Sequence, residues 1–109
     1  MAENKESRTD YALLQAWGGG DDDAGDALVT RYVPVLYRFF RNKLDTEVDE
    51  LAQRTLMACV EGRDRLREDA SFRPYLLAIA RRQLMMHLRK RMRGDRARRV
   101  AEVPVDEVL

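Results

Sequence analysis

The sequence predicts an all-α domain, a small four-helix packing of orthogonal or bundle-like kind. Three observations carry this. Apolar residues recur at steps of three or four in four separate segments, cap and stop residues punctuate those segments, and no stretch has the alternation of a strand. With 109 residues and 45% hydrophobic content, the chain can bury one modest core but not two.

Residues 1–9 read as a disordered polar tail. From Asp10, the segment DYALLQAW spaces Leu13, Leu14 and Trp17 as a short amphipathic helix with Trp17 as its core anchor, and Gly18, Gly19 and Gly20 end it. Asp21 to Asp23 supply a cap and first-turn acids for a second helix. Its apolar face is Val29, Val33, Leu36, Phe40 and Leu44, widened by Tyr32, Tyr37 and Phe39. Pro34 deletes one backbone donor and clashes with the preceding turn, which predicts a kink over 30–34.

Asp45-Thr46 breaks that run, with Thr46 as cap and Asp49 at N3 in a variant of the capping box. A third helix is expected over 47–61, ending at Gly62. The stretch RDRLREDA has no clean period and reads as a loop. Ser71 is the expected cap of the fourth helix, and Pro74 is tolerated within its first turn. Leu76, Ala80, Leu84 and Leu88, with Ile79 beside them, form its inward stripe, and Gly94 is the expected stop after Arg93. The whole helical domain is placed at 10–99, and 100–109, with Pro104 and three acids, reads as the start of a linker.

Charge is distributed unevenly. The total is +1, yet residues 1–30 carry two bases and seven acids, while 63–99 carry thirteen bases and four acids. Between Arg81 and Arg99 there are nine Lys or Arg against Asp95 alone. Such a concentration points to a polyanion, and to nucleic acid first. One cysteine, Cys59, excludes an internal disulfide, and with His87 as the sole histidine no zinc set can be assembled. Cys59 reads as a small buried apolar residue and His87 as a packing or phosphate-adjacent group. No cofactor motif is present, no Gly-rich phosphate loop accompanies the paired acids Asp49 and Glu50, and an enzyme is the least expected class. No apolar run reaches the ~20 residues needed to cross a bilayer, so no membrane partner is expected, and a reducing cytoplasm is the expected compartment.

Two surfaces are candidates for function. On a helical wheel Tyr75, Arg82, Arg89 and Arg93 fall within about 40° of one another. An exposed cationic row headed by an aromatic suits single-stranded or melting DNA, because guanidinium grips phosphate and a ring stacks on an unpaired base. The competing reading is an ordinary solvated helix face. On the third helix Glu50, Gln53, Met57 and Val60 recur at three or four, a pattern that fits a protein partner. A half-exposed helix with Leu51, Thr55 and Cys59 inward explains the same residues equally well.

Four stretches, LLQAWGGGDDDAGDALVTRYVPVLYRFF, VDELAQRTLMACVEGRDRL, EDASFRPYLLAIAR and HLRKRMR, together resemble region 2 of the sigma-70 family of bacterial transcription initiation factors, in its extracytoplasmic-function (ECF) group. The resemblance covers about residues 10 to 93. It implies that the third helix docks on the β′ clamp helices of core RNA polymerase through Glu50, Gln53, Arg54, Met57 and Val60. It also implies that the loop from Arg67 to Ser71 and the start of the fourth helix capture a flipped base of the −10 promoter element on the non-template strand. Arg73, Tyr75, Arg82, Arg89, Lys90 and Arg93 would line that strand and its phosphates. The family often has Trp at Tyr75, Asn at Arg82, Asp at Met86 and Glu at Arg54, so the chain departs from it at these positions. Members continue into a region 4 helix-turn-helix, and the sequence stops where the linker to it would begin, as either an excised fragment or a short natural variant would, the fragment being the favoured expectation. The alternative function is a helical protein-interaction module whose basic face meets an acidic partner, such as an anti-sigma factor, without productive DNA binding.

Overall fold

The computed structural model of the chain describes residues 8–102, with side chains described for 8–99. Most of the expected tail, 1–7, and most of the expected linker, 103–109, lie outside the described residues. Four helices follow one another: α1 (Asp10–Gly18), α2 (Asp22–Arg41), α3 (Val48–Glu61) and α4 (Phe72–Glu102), with one 3₁₀ turn, Arg63–Arg65, between the last two. No strand occurs among the described residues.

The first two helix starts form as their side chains dictate. Thr9 accepts a hydrogen bond from the Ala12 amide (3.1 Å) at the head of α1, and Asp21 accepts one from the Ala24 amide (3.1 Å) at the head of α2. Arg8 and Thr9, expected in the frayed tail, are therefore tied down. The Arg8 carbonyl also accepts from Arg31 (3.1 Å), and Arg31 meets Asp10 at 2.6 Å. Pro34 leaves α2 a single continuous helix. It is exposed, and so is Thr30, whose carbonyl would otherwise receive the missing donor, so water can satisfy that group.

Two expected boundaries are overturned. Thr46 does not cap α3: the N-cap is Glu47, in the left-handed region at φ 67°, and no side chain bonds the first turn. Asp49, expected to complete the cap, instead accepts a hydrogen bond from the Tyr37 hydroxyl. Gly94 does not stop α4, which runs on to Glu102. A glycine inside a helix costs about 1 kcal/mol, too little to end one surrounded by Arg and Ala, and Asp95 and Arg98 pair at i, i+3 (3.7 Å) in the turn just beyond it.

The core gathers Leu13 and Leu14 of α1, Leu28, Leu36 and Phe40 of α2, Leu51, Leu56 and Cys59 of α3, and Phe72, Leu76, Ala80 and Leu84 of α4. In α2 the buried line is Leu28, Leu36 and Phe40, whereas Val29 and Val33 stand half-buried at its edge. Trp17 is likewise half-buried and its indole packs against Gly25, where a Cβ would come within 2.5 Å of the indole nitrogen. Within α3, Thr55 is fully buried and donates to the Leu51 carbonyl (2.7 Å). The loop before α4 is anchored by Leu66, which is buried. Leu88 is the last residue of α4 packed on the core, and every residue from Arg89 to Arg99 is exposed. The second half of α4 therefore projects from the body of the domain.

Candidate nucleic-acid interface

α4 carries ten Lys or Arg against Asp95 and Glu102. Arg82, Arg89 and Arg93 are exposed, and among the described residues none of them makes an ion pair. At 1.5 Å per residue the row is about 16 Å long, enough to meet several successive phosphates. Lys90 is also exposed and makes no ion pair among the described residues, on the side of the row that leads towards α3.

The aromatic expected at the head of the row is only partly presented to solvent. Tyr75 is half-buried, its ring lies 5.9 Å from that of Phe72, and its hydroxyl donates to the Cys59 carbonyl (2.9 Å). Burial pushes the Tyr75 phenol above its ordinary pKa. The cause of the inward turn is the neighbour that the wheel omits: α3 approaches α4 on this side, and Gly62 at its end leaves room for the phenol, a Cβ there lying 3.0 Å from it.

The remaining candidates fall in two further places. Arg67 and Ser71 are exposed on the loop, with Arg67 paired to Asp69 (3.4 Å) in full solvent, where such a pair holds little energy. Arg73 is exposed in the first turn of α4, about 180° around the helix from Arg82, on the flank that meets α2. The eight residues thus occupy the loop, one flank and the outer row rather than a single stripe.

On α3 the structure brings Glu50, Gln53, Arg54 and Met57 together around a shallow groove completed by Glu61 and by Gln83 of α4. Arg54 reaches back to Glu50 (2.5 Å), so the ridge is nearly neutral. Val60 does not line this groove and packs against the core. Gln53 and Met57 also border a second, apolar groove formed with Trp17, Val29, Val33 and Leu56, so they form the crest between two depressions. Met57 is 46% exposed, a large apolar side chain in water at that crest. Sequence reasoning missed the second groove, whose signal was the pairing of Val29 and Val33 with an aromatic from another helix.

His87 is a packing residue, with a side chain 9% exposed, and its Nε2 lies 2.9 Å from a Glu47 carboxylate oxygen but out of hydrogen-bond alignment. The contact is an ion pair only when the ring is protonated. Cys59 is buried, and burial pushes its thiol up to about 12, which keeps it protonated and unreactive at neutral pH. No cluster of His, Cys, Asp or Glu among the described residues could hold a metal ion. No described helix is long and apolar enough to cross a membrane.

Comparison with protein families returns one described as Sigma-70 region 2, matched over residues 28–94, which contain the α3 crest, the loop and the arginine row. Comparison with curated proteins finds no match, and comparison with solved structures finds none. The matched segment is more than half of the chain and runs from the buried Leu28 of α2 to Gly94 within α4, so the chain belongs to the sigma-70 region 2 family, a transcription-initiation domain and not an enzyme, whose role is to bind RNA polymerase and recognise promoters.

Proposed function

We propose that this domain works in the manner of an ECF sigma factor. The α3 crest of Glu50, Gln53, Arg54 and Met57, with Val60 beside it, docks on the β′ clamp helices of core polymerase. The α4 row then holds the non-template strand of the −10 element, while the loop from Arg67 to Ser71 receives a flipped base. The observation that carries this reading is the row itself: Arg82, Arg89 and Arg93 are exposed, aligned and, among the described residues, without an ion pair, on a helix half of which projects from the body. Cations held together without acids repel one another, and a polyanion relieves that repulsion. A phosphate chain fits best, because guanidinium binds its oxygens bidentately and a displaced strand costs only a few kcal/mol to unstack.

One observation favours a second reading. With the Tyr75 hydroxyl engaged and its ring half-buried, the described part of the row offers an unpaired base only part of a stacking ring. A basic face of this kind suits an acidic protein partner, such as an anti-sigma factor. Incubating the domain with core polymerase and a promoter fragment separates the two. Retention by core together with strand opening at the −10 position supports the sigma reading, whereas retention by neither core nor promoter leaves only the interaction module.

A further inference from the structure

We propose that the groove between the C-terminal half of α2 and the first turn of α4 is a second seat for the phosphodiester backbone of the strand held by α4, formed by Arg38, Lys43 and Arg73. This rests on the reading of α4 as a DNA surface and extends it to residues of α2 that the arginine row does not include.

The groove encloses about 310 Å³. Arg38, Asn42 and Lys43 enter it from α2 and the turn that follows, Arg73 enters from α4, and Phe39 and Leu77 are half-buried in its wall. No acid lines it, and among the described residues none of the three cations makes an ion pair. The Lys43 ammonium stands 4.2 Å over the Phe39 ring, which pre-positions the charge on an apolar wall where it is less screened than in open water.

Internal electrostatics accounts for only part of this cluster. Arg38 lies in the last turn of α2 and Lys43 just beyond it, where the negative end of the helix dipole favours cations. Arg73 has the opposite situation. It stands in the first turn of α4, against the positive end of its own helix, with no acid in that turn. Bringing it against two further cations adds repulsion that nothing within the groove offsets, and an incoming anion does. A chain of phosphates fits better than an isolated carboxylate for a reason of continuity. Arg81 stands one turn beyond Leu77 on the same flank, and Arg82 follows it on the outer row, so a strand passing round the helix from groove to row meets a further cation on the way.

The test uses the whole chain and a single-stranded −10 oligonucleotide, alone and lengthened at either end, with affinity measured by anisotropy across a salt series. The variant is Arg38→Gln with Lys43→Gln, which keeps polar stems at two exposed positions, and a thermal melt checks its fold. The expected result is that lengthening at one end tightens binding to the native chain. The variant loses that gain, with a salt slope shallower by about 1.4 on the long strand, two contacts at ~0.7 each, and unchanged affinity for the short one. Equal binding of the long strand by variant and native chain, while Arg82→Ala with Arg89→Ala weakens it, overturns the groove and leaves the row standing. Loss of effect from both pairs overturns the DNA reading itself. If instead the variant loses binding of a poly-glutamate peptide and not of DNA, the groove belongs to an acidic protein and the proposal is overturned in that way.

Discussion

The phenol of Tyr75, at the start of α4, donates a hydrogen bond to the backbone carbonyl of Cys59, near the end of α3, at 2.9 Å. This bond spans the loop that carries Arg67 and Ser71 and fixes how its two ends approach. Tyr75→Phe keeps the ring and removes the donor. The expected loss is about 0.5–1.5 kcal/mol of stability. For a domain of this size that lowers Tm by roughly 4–8 °C per kcal/mol, readable by circular dichroism. An unchanged Tm shows that the bond contributes nothing to holding the loop.

Trp17 rests on Gly25 with no room for a Cβ between them. Gly25→Ala must displace a rigid indole, and overpacking of this kind costs about 1–3 kcal/mol although alanine is the better helix former. A second change, Trp17→Leu in the Gly25→Ala background, relieves the clash. The double variant is therefore expected to be less destabilised than the sum of the single ones, measured by urea unfolding.

Tyr32 donates to Asp10, and burial first, then that hydrogen bond and the nearby carboxylate, raise its phenol from 10.0 to about 12. The folded state therefore holds the proton more tightly than the unfolded chain does. Its stabilising effect is complete below pH 10 and is lost as pH rises towards 12. Tyr32→Phe removes this dependence. The native chain should lose stability more steeply than the variant between those two values, followed by chemical denaturation at stepped pH, and parallel curves would contradict the assignment.

Gln53 and Met57 form the crest between the two α3 depressions. Replacing both with alanine should reduce retention by core polymerase by tenfold or more, since an exposed apolar anchor at an interface centre is commonly worth more than ~1 kcal/mol. Oligonucleotide affinity should stay unchanged, because both residues are uncharged and neither belongs to the arginine row. Parallel loss of both activities would indicate unfolding rather than a lost contact, and a melt of the same variant distinguishes the two.

Much of the fold was legible from local chemistry. Asp21 caps α2 as its side chain requires, Gly62 ends α3, and Leu76, Ala80 and Leu84 face inward at their four-residue spacing. What was not legible depended on neighbours distant in sequence. Thr46 was the better cap by residue type, yet the chain enters α3 through a left-handed Glu47 whose carboxylate meets His87 of α4. The wheel of α4 alone puts Tyr75 beside Arg93, and only the approach of α3 shows that its hydroxyl points inward. The groove of Arg38, Lys43 and Arg73 joins residues thirty or more positions apart, and no period within either helix announces it. Gly94 is a different case, since the helix-forming run on both sides of it carries α4 through a single stop residue.

The central claim is that Arg82, Arg89 and Arg93 grip the displaced promoter strand, and the most direct measurement is the salt dependence of affinity for the −10 non-template oligonucleotide. The account predicts a slope of log affinity against log salt of at least about −2, three guanidinium contacts at ~0.7 each, becoming shallower by about 1.4 in Arg82→Ala with Arg89→Ala, and weaker binding of a scrambled strand. A slope that does not change in the double variant, or a scrambled strand bound as tightly as the −10 sequence, would contradict it.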